Sequence, residues 1–168
     1  ISFTGKTVLG TCNVLTAAVL AEGTTTIEYA ACEPEVQDLA NFLNKAGAKI
    51  TGAGTHTIEI EGVKSLNPVE HTVIPDRIEA GTIAIAAAVA GGKVRIKNII
   101  PEHMRLVLNK LKATGVDFSI DYIDDTFADL TVEQKSELCA PGGQWIDTRP
   151  YPGFPTDLQS PFVVLLTQ

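Results

Sequence analysis

Three pairs of residues carry groups able to hold an anion or move a proton: Thr7 with Thr11, Asp76 with Glu79, and Thr156 with Asp157. Each stands at the start of a stretch with helical apolar spacing. Hydroxyl and carboxylate oxygens in such places accept hydrogen bonds from the free N–H groups of a first helical turn, and capping explains any one pair by itself. Three in register ask for more. If the units that carry them pack around a pseudo-symmetric axis, the helix starts converge on one face, and helix N-termini receive phosphates and other anions. A carboxylate beside a phosphate-bearing substrate serves best as a general base, or as an acceptor that orients hydroxyls.

Other chemistry-bearing residues point nowhere as clearly. Gly5-Lys6-Thr7 resembles the end of a phosphate-cradling Gly-x4-Gly-Lys-Thr loop, but its first glycine would precede residue 1, so the nest of backbone N–H groups has no support. His56, His71 and His103 lack metal-ligand spacing and read as surface or strand-edge residues. Cys12, Cys32 and Cys139 form an odd set with no Cys-x-x-Cys spacing, which argues against a disulfide framework or a zinc site. Cys12 and Cys32 read as small buried hydrophobes. Cys139 falls in a loop with only Lys135 and Arg149 nearby and no base partner. Neither a metal nor a cofactor is expected.

The elements that must position these residues form a repeat with an offset of roughly 68 residues. In the first copy a small-residue helix, Thr11 to Ala21, ends at Gly23 and leads into the alternating strand Thr24 to Glu28. In the second, Ala80 to Ala90 ends at Gly91-Gly92 and leads into Lys93 to Lys97. Pro34-Glu35 then opens a helix ending at Gly47, and Pro101-Glu102 opens one ending at Gly115, with Pro inside the start and Gly past the end. Strands close each unit: Ala48 to Thr51 with His56 to Glu61, and Val116 to Tyr122 with a weaker partner near Thr126 to Val132. The pattern is βαβαββ. A third unit opens at Trp145, turns through Pro150 to Pro155, and starts a helix at Thr156. Ala17 to Val19 and Ala84 to Val89 show almost no polar face, so the first helix of each unit is expected to be buried on nearly every side, inside a ring of sheets.

The 168 residues are 45% hydrophobic and 20% charged, which suits globular cores. A formal charge of -7 gives no field that would draw nucleic acid or an anionic membrane, so neither is an expected partner and any phosphate must be held locally. No apolar run approaches the ~20 residues that span a bilayer. The cytoplasm is the expected compartment. Ile1-Ser2-Phe3 reads as mid-strand and Phe162 to Gln168 as mid-helix, so the sequence is expected to continue at both ends.

Several long stretches carry a family resemblance: Leu20 to Glu28, Glu33 to Val36, Gly47 to Ile50, Gly52 to Thr55, Ile60 to Val63, His71 to Gly81, and Pro150 to Gln159. Together they closely resemble the UDP-N-acetylglucosamine 1-carboxyvinyltransferase family of enolpyruvyl transferases, over nearly the whole chain and least from Asp124 to Trp145. The resemblance implies an α/β (α+β) fold: two inside-out α/β barrels of βαβαββ repeats, here incomplete. Residues 1–70 would be the last repeat of one barrel domain, and 71–168 one repeat and the start of another from the second.

The resemblance also implies transfer of enolpyruvyl from phosphoenolpyruvate to the 3'-hydroxyl of UDP-N-acetylglucosamine, in peptidoglycan precursor synthesis. Asp157 matches the family's base near that hydroxyl, with Thr156 beside it. Glu33 matches an acidic site residue, and Asp76 one that couples domain closure to substrate. Thr7, Val8 and Leu9, with Lys6 beside them, match the segment that holds the UDP phosphates, although the family commonly has Gly at Leu9. The family's Lys-Asn pair, its mobile Pro-Gly-Gly-Cys loop and its late arginines have no counterpart here. Cys139 precedes Pro141-Gly142-Gly143 and does not supply that loop. Without those cations the charge developing on phosphate goes unstabilised, so the chain is expected to need the rest of its parent. The sister enzyme 5-enolpyruvylshikimate-3-phosphate synthase lacks the Pro-Gly-Phe-Pro-Thr-Asp motif. A reading from another class is a truncated paralogue that binds or assembles without catalysis.

Overall fold

The computed structural model describes residues 1–142 and 146–168. Gly143, Gln144 and Trp145, where the third unit is expected to open, lie outside the described residues. The chain divides into two compact units, Ile1–Ile74 and Pro75–Gln168.

In the first unit the order is α1 (Val8–Ala18), β1 (Thr24–Glu28), α2 (Pro34–Lys45), β2 (Lys49–Thr51) and β3 (Thr57–Glu61). The sheet order is β1-β3-β2, antiparallel throughout, with Thr24 opposite Glu61 in one pair and Lys49 opposite Glu61 in the other. Ser2 makes an isolated parallel bridge to Glu28, a remnant of the leading strand of the expected unit. β3 follows the expected alternation: Ile58 and Ile60 point into the core while Thr57, Glu59 and Glu61 face out. Val36, Ala40 and Leu43 put one stripe of α2 on that core, together with the fully buried Leu15 and Ile27. Each of the larger ones, Val36, Leu43, Leu15 and Ile27, contributes about 1.5–3 kcal/mol. Asn44 fastens β2 to α2, its Oδ1 accepting from Ile50 N at 2.8 Å and its Nδ2 donating to Ile50 O at 2.9 Å.

The second unit repeats this plan with α3 (Arg77–Ala90), β4 (Lys93–Ile99), a 3-10 turn (Pro101–Met104), α4 (Arg105–Ala113), β5 (Phe118–Tyr122) and β6 (Ala128–Glu133). The sheet order β4-β6-β5 matches that of the first unit. A second 3-10 turn (Thr156–Leu158) and α5 (Gln159–Leu166) follow, and α5 packs on α3. The repeat extends to backbone conformation. After α2, Gly47 takes φ 103° while Ala48 N donates back to Leu43 O; after α4, Gly115 takes φ 77° while Val116 N donates back to Leu111 O. Only glycine enters that region without cost. Tyr29 (φ 59°) after β1 and Asn98 (φ 58°) near the end of β4 are also left-handed.

Among the described residues no closed barrel is seen. Several expectations need correction. α1 starts at Val8 rather than Thr11, because Thr7 caps it, and ends at Ala18. α1 is not buried all round: Thr11, Leu15 and Ala18 are inside, while Leu9 is 76% exposed. α3 likewise buries Ala84, Ile85 and Ala88 and leaves Ile83 43% exposed. The strand expected to be the weaker partner, β6, is the centre of its sheet and the most buried strand of the unit. Its misleading residue is Asp129. That carboxylate is buried and accepts from Asn98 N at 2.8 Å and from Arg95 Nε at 2.9 Å, filling the irregular stretch where β4 shifts register between Ile96 and Ile99.

Residues 62–76 have no regular secondary structure. Three bonds hold their first part to the first unit: Gly62 N donates to Gly23 O, Val63 N to Val19 O, and Asn67 N to Ala46 O. His71 makes a further attachment to the first unit. Its Nε2 lies 2.9 Å from Asp38 Oδ1, its Nδ1 3.4 Å from Lys45 Nζ, and its ring meets Phe42 edge to face at 5.6 Å. The side chains of His71 and Asp38 are 9% and 12% exposed, so this histidine is not the surface residue that its spacing implies.

Candidate functional site

Thr7 sets the geometry of the first unit's candidate site. Its extended backbone ends the preceding segment, its Oγ1 accepts from Gly10 N at 3.2 Å, and its carbonyl accepts from Thr11 N at 3.0 Å. Within the helix, this leaves the N–H groups of Val8 and Leu9 without an acceptor. Thr11 is fully buried, donating its hydroxyl to Thr7 O and accepting from Ala31 N at 3.1 Å. Thr11 therefore fastens the start of α1 to the segment after β1, where Cys32 and Glu33 follow.

That segment gathers the unit's ionisable groups. Glu33 is 6% exposed and is the residue before α2, its carbonyl accepting from Val36 N at 3.0 Å. Cys32 Sγ lies 3.0 Å from His56 Nδ1, a pair that nothing in the spacing of the sequence signals, since the two residues come from different loops. Burial raises the Cys32 thiol above its usual range, Lys6 pulls it down, and Glu33 adds to the rise. The Cys12 thiol is raised by burial, then by Glu35 and Glu33. Both thiols are therefore held protonated and act as the small packing groups expected of them. The structure thus brings Lys6, Thr7 and Glu33 to one end of the first unit. Lys6 and Leu9 are exposed there, and Thr7 and Val8 are half-buried.

In the second unit Asp76 caps α3, its Oδ1 accepting from Ile78 N at 2.7 Å and Glu79 N at 3.0 Å. Capping therefore engages one oxygen of this exposed carboxylate. Thr156 and Asp157 sit on the 3-10 turn, both exposed, and neither makes a side-chain cap. Their neighbours fix the turn in place. Phe154 and Leu158 are 1% and 0% exposed, Phe154 meets Phe162 of α5 edge to face, and Leu158 packs over Gly81 of α3, where a Cβ would come within 2.6 Å of its Cδ1. Asp157 thus projects, with Thr156, from a turn whose Phe154, Pro155 and Leu158 are buried, beside the helix that Asp76 caps. Phe154 and Leu158 give this carboxylate a packed mounting.

Other features lie away from these groups. Cys139 is exposed, with Sγ 3.8 Å from Ala113 O. A groove of about 660 Å³ along α4 and β5 holds none of the expected site residues. Among the described residues no group of three or more His, Cys, Asp or Glu is placed to hold a metal ion, and no helix is long and apolar enough to cross a membrane.

Comparison with known proteins bears on the family and the fold. The family model described as EPSP synthase (3-phosphoshikimate 1-carboxyvinyltransferase) matches residues 1–168. The UDP-N-acetylglucosamine 1-carboxyvinyltransferase 1 of Caldanaerobacter subterraneus subsp. tengcongensis is 53% identical over 155 residues, covering 92% of this chain and 35% of the relative. The UDP-N-acetylglucosamine 1-carboxyvinyltransferase of Myxococcus xanthus is 46% identical over 167 residues, covering 99% of this chain and 38% of the relative. Among solved structures, the enolpyruvyl transferase NikO from Streptomyces tendae superposes with a TM-score of 0.70 at 27% identity, over 90% of this chain and 35% of that one. An EPSP synthase from Acinetobacter baumannii shares the fold, with a TM-score of 0.56 at 22% identity over 79% of this chain and 31% of its own. The chain thus spans little more than a third of the curated relatives it matches. With the family model matched over residues 1–168, and with relatives and a solved structure that are themselves named as carboxyvinyl or enolpyruvyl transferases, the chain belongs to the EPSP synthase (3-phosphoshikimate 1-carboxyvinyltransferase) family of enolpyruvyl transferases.

Proposed function

We propose that this chain is part of an enzyme that transfers enolpyruvyl from phosphoenolpyruvate to the 3'-hydroxyl of UDP-N-acetylglucosamine, in the cytoplasm, for peptidoglycan precursor synthesis. The observation that carries the reading is the 53% identity, over 92% of the chain, to a relative bearing that activity in its name. The mounting of Asp157 supports it. In the reaction the sugar hydroxyl adds to C2 of phosphoenolpyruvate as C3 is protonated, and loss of phosphate from C2 with a proton from C3 then restores the double bond. Asp157 takes the hydroxyl proton, Thr156 lines the same turn, and Glu33 and Asp76 serve as the further acidic groups of the site. The Val8 and Leu9 N–H groups at the start of α1, with Thr7 and Lys6, hold the UDP phosphates. Each unit belongs to one of two barrel domains, which the rest of the parent chain completes, and the isolated chain does not turn over.

The test is a complete enzyme in which residues 1–168 replace the matching third of the Caldanaerobacter subterraneus relative. Asp157→Asn should lower phosphate release by at least about 10²-fold, the lower range for a lost general base. Unchanged turnover in that variant would sink the mechanism. Activity on shikimate 3-phosphate in place of the UDP-sugar would favour the reading suggested by the family model's description.

A further inference from the structure

A cation that bears on the Asp157 turn is Arg77, the first residue of α3 and the neighbour of Asp76. Its Cζ lies 5.5 Å from the centroid of the Tyr151 ring, within the range of a cation–π contact. The two residues also line one small cavity with Leu106 and Val107 of α4. Tyr151 belongs to the turn that delivers Asp157. Within that turn Arg149 N donates to Phe154 O at 2.9 Å, Gly153 N donates to Pro150 O at 2.8 Å, and Thr148 bridges Phe154. Phe154 and Leu158 anchor its inner end, whereas Arg149, Pro150 and Pro152 at its outer end are exposed. Tyr151 is half-buried and is the aromatic contact between that outer end and α3.

We propose that Arg77 is a positioning residue for the transfer reaction: by seating its guanidinium on Tyr151 it locks the outer end of the 148–155 turn to the start of α3 and so holds Asp157 in register with Asp76. Because the 3-10 turn follows Phe154 with a single residue between, loosening of the outer end reaches Asp157 as a displacement rather than as unfolding. A displacement of about 1 Å in an acting group lowers the rate by roughly 10²-fold, so a partial loosening should lower it by about tenfold. The inference rests on the role proposed for Asp157, and its test has one arm that does not.

In that arm, amide exchange is followed on the chain itself. Arg77→Gln and Tyr151→Leu should each speed exchange at Gly153 and Leu158, whose N–H groups bond within the turn, by about tenfold while leaving the α4 amides alone. Arg77→Lys and Tyr151→Phe, which keep a cation and a ring face, should restore slow exchange. The double variant should be no faster than either single one, as expected of two halves of one contact. Equal exchange in wild type and Arg77→Gln overturns the proposal. In the complete chimeric enzyme, Arg77→Gln should lower kcat about tenfold with KM for both substrates within about threefold, the pH profile unmoved, and Arg77→Lys close to wild type. If Asp157→Asn stops turnover while Arg77→Gln leaves kcat intact, positioning is refuted and the reaction assignment stands. If Asp157→Asn has no effect, the reaction assignment fails, while the exchange arm still decides what Arg77 holds.

Discussion

The first helices of the two units have nearly the same character and different fates. α1 and α3 are both rich in small apolar residues, both start from a side-chain cap, and both lead into the first strand of a three-stranded sheet whose last strand is central. α3 buries Ala80, Gly81, Ala84, Ile85, Ala87 and Ala88, because α5 and the turn before it lie across it through Leu158, Phe162 and Leu165. α1 buries Thr11, Leu15 and Ala18 and leaves Leu9 to solvent. With no polar face in either helix, sequence character alone does not decide how much is covered. What decides is whether a further helix lies across it, and among the described residues of the two units, each taken by itself, α3 has α5 in that place.

The strongest way to break this comparison is to remove the cover. Phe162→Ala should destabilise the second unit by about 3–5 kcal/mol, the usual range for a large aromatic cut from a core, and leave α3 as open as α1. Unit-resolved hydrogen exchange should show faster opening in α3 and β6 and none in β1 or β3. Equal loss in both units would mean that they do not melt separately. A smaller change sharpens the parallel between the left-handed positions. Asn98 tolerates that conformation, and its N–H is received by Asp129, whereas Tyr29 is a bulky residue in the same geometry and is 62% exposed. Tyr29→Asn should therefore stabilise the first unit by about 1 kcal/mol in denaturant melts, and no gain would show that Tyr29 carries no strain.

Smallest per group is the response to acid. Four carboxylates of the second unit sit below their usual range: Asp129 chiefly through Asn98 N–H, Asp117 through Ser136 and Lys135 N–H, Asp124 through Phe127 and Thr126 N–H, and Glu133 through Lys93 and Lys135. A depressed folded pKa means that the ionised form favours the folded state. Their contribution is complete above the ordinary values of 3.8 and 4.5 and is lost as pH falls through the lower folded values. Below about pH 4, β5 and β6 amides should lose protection, and Asp129→Asn should flatten part of that dependence. A melting profile for β5 and β6 that ignores pH between 5 and 2 would contradict these contacts.

Much of this architecture is legible from the residues. Proline inside a helix start and glycine past its end mark α2 and the start and end of the 3-10–α4 segment, and Thr57 to Glu61 announces β3 by strict alternation. β6 was harder to read because a buried Asp129 makes a central strand look polar, and only the Arg95 and Asn98 partners, more than thirty residues away, resolve it. The start of α1 is obscured because Val8-Leu9-Gly10 has no helical signature and the cap lies in the Oγ1 of Thr7. The positions of Thr7, Asp76 and Asp157 at helix starts are legible because hydroxyl and acidic residues recur at the starts of successive units. Cys32 with His56, His71 with Asp38, and Arg77 with Tyr151 join residues that no local periodicity relates. Pairing of that kind is a property of tertiary contact alone.

The strand order has a consequence in time as well as in space. In each sheet the two outer strands bond to the last strand made and not to each other. β1 and β2 therefore gain no ladder until Thr57–Glu61 has been synthesised, nor β4 and β5 until Ala128–Glu133 has. On the ribosome each sheet must wait for its final strand and then form in one step, closing loops of tens of residues together. A chain halted just before Thr57 or Ala128 would carry two strands with exposed edges and no partner between them, which is the form of each unit most open to wrong pairing.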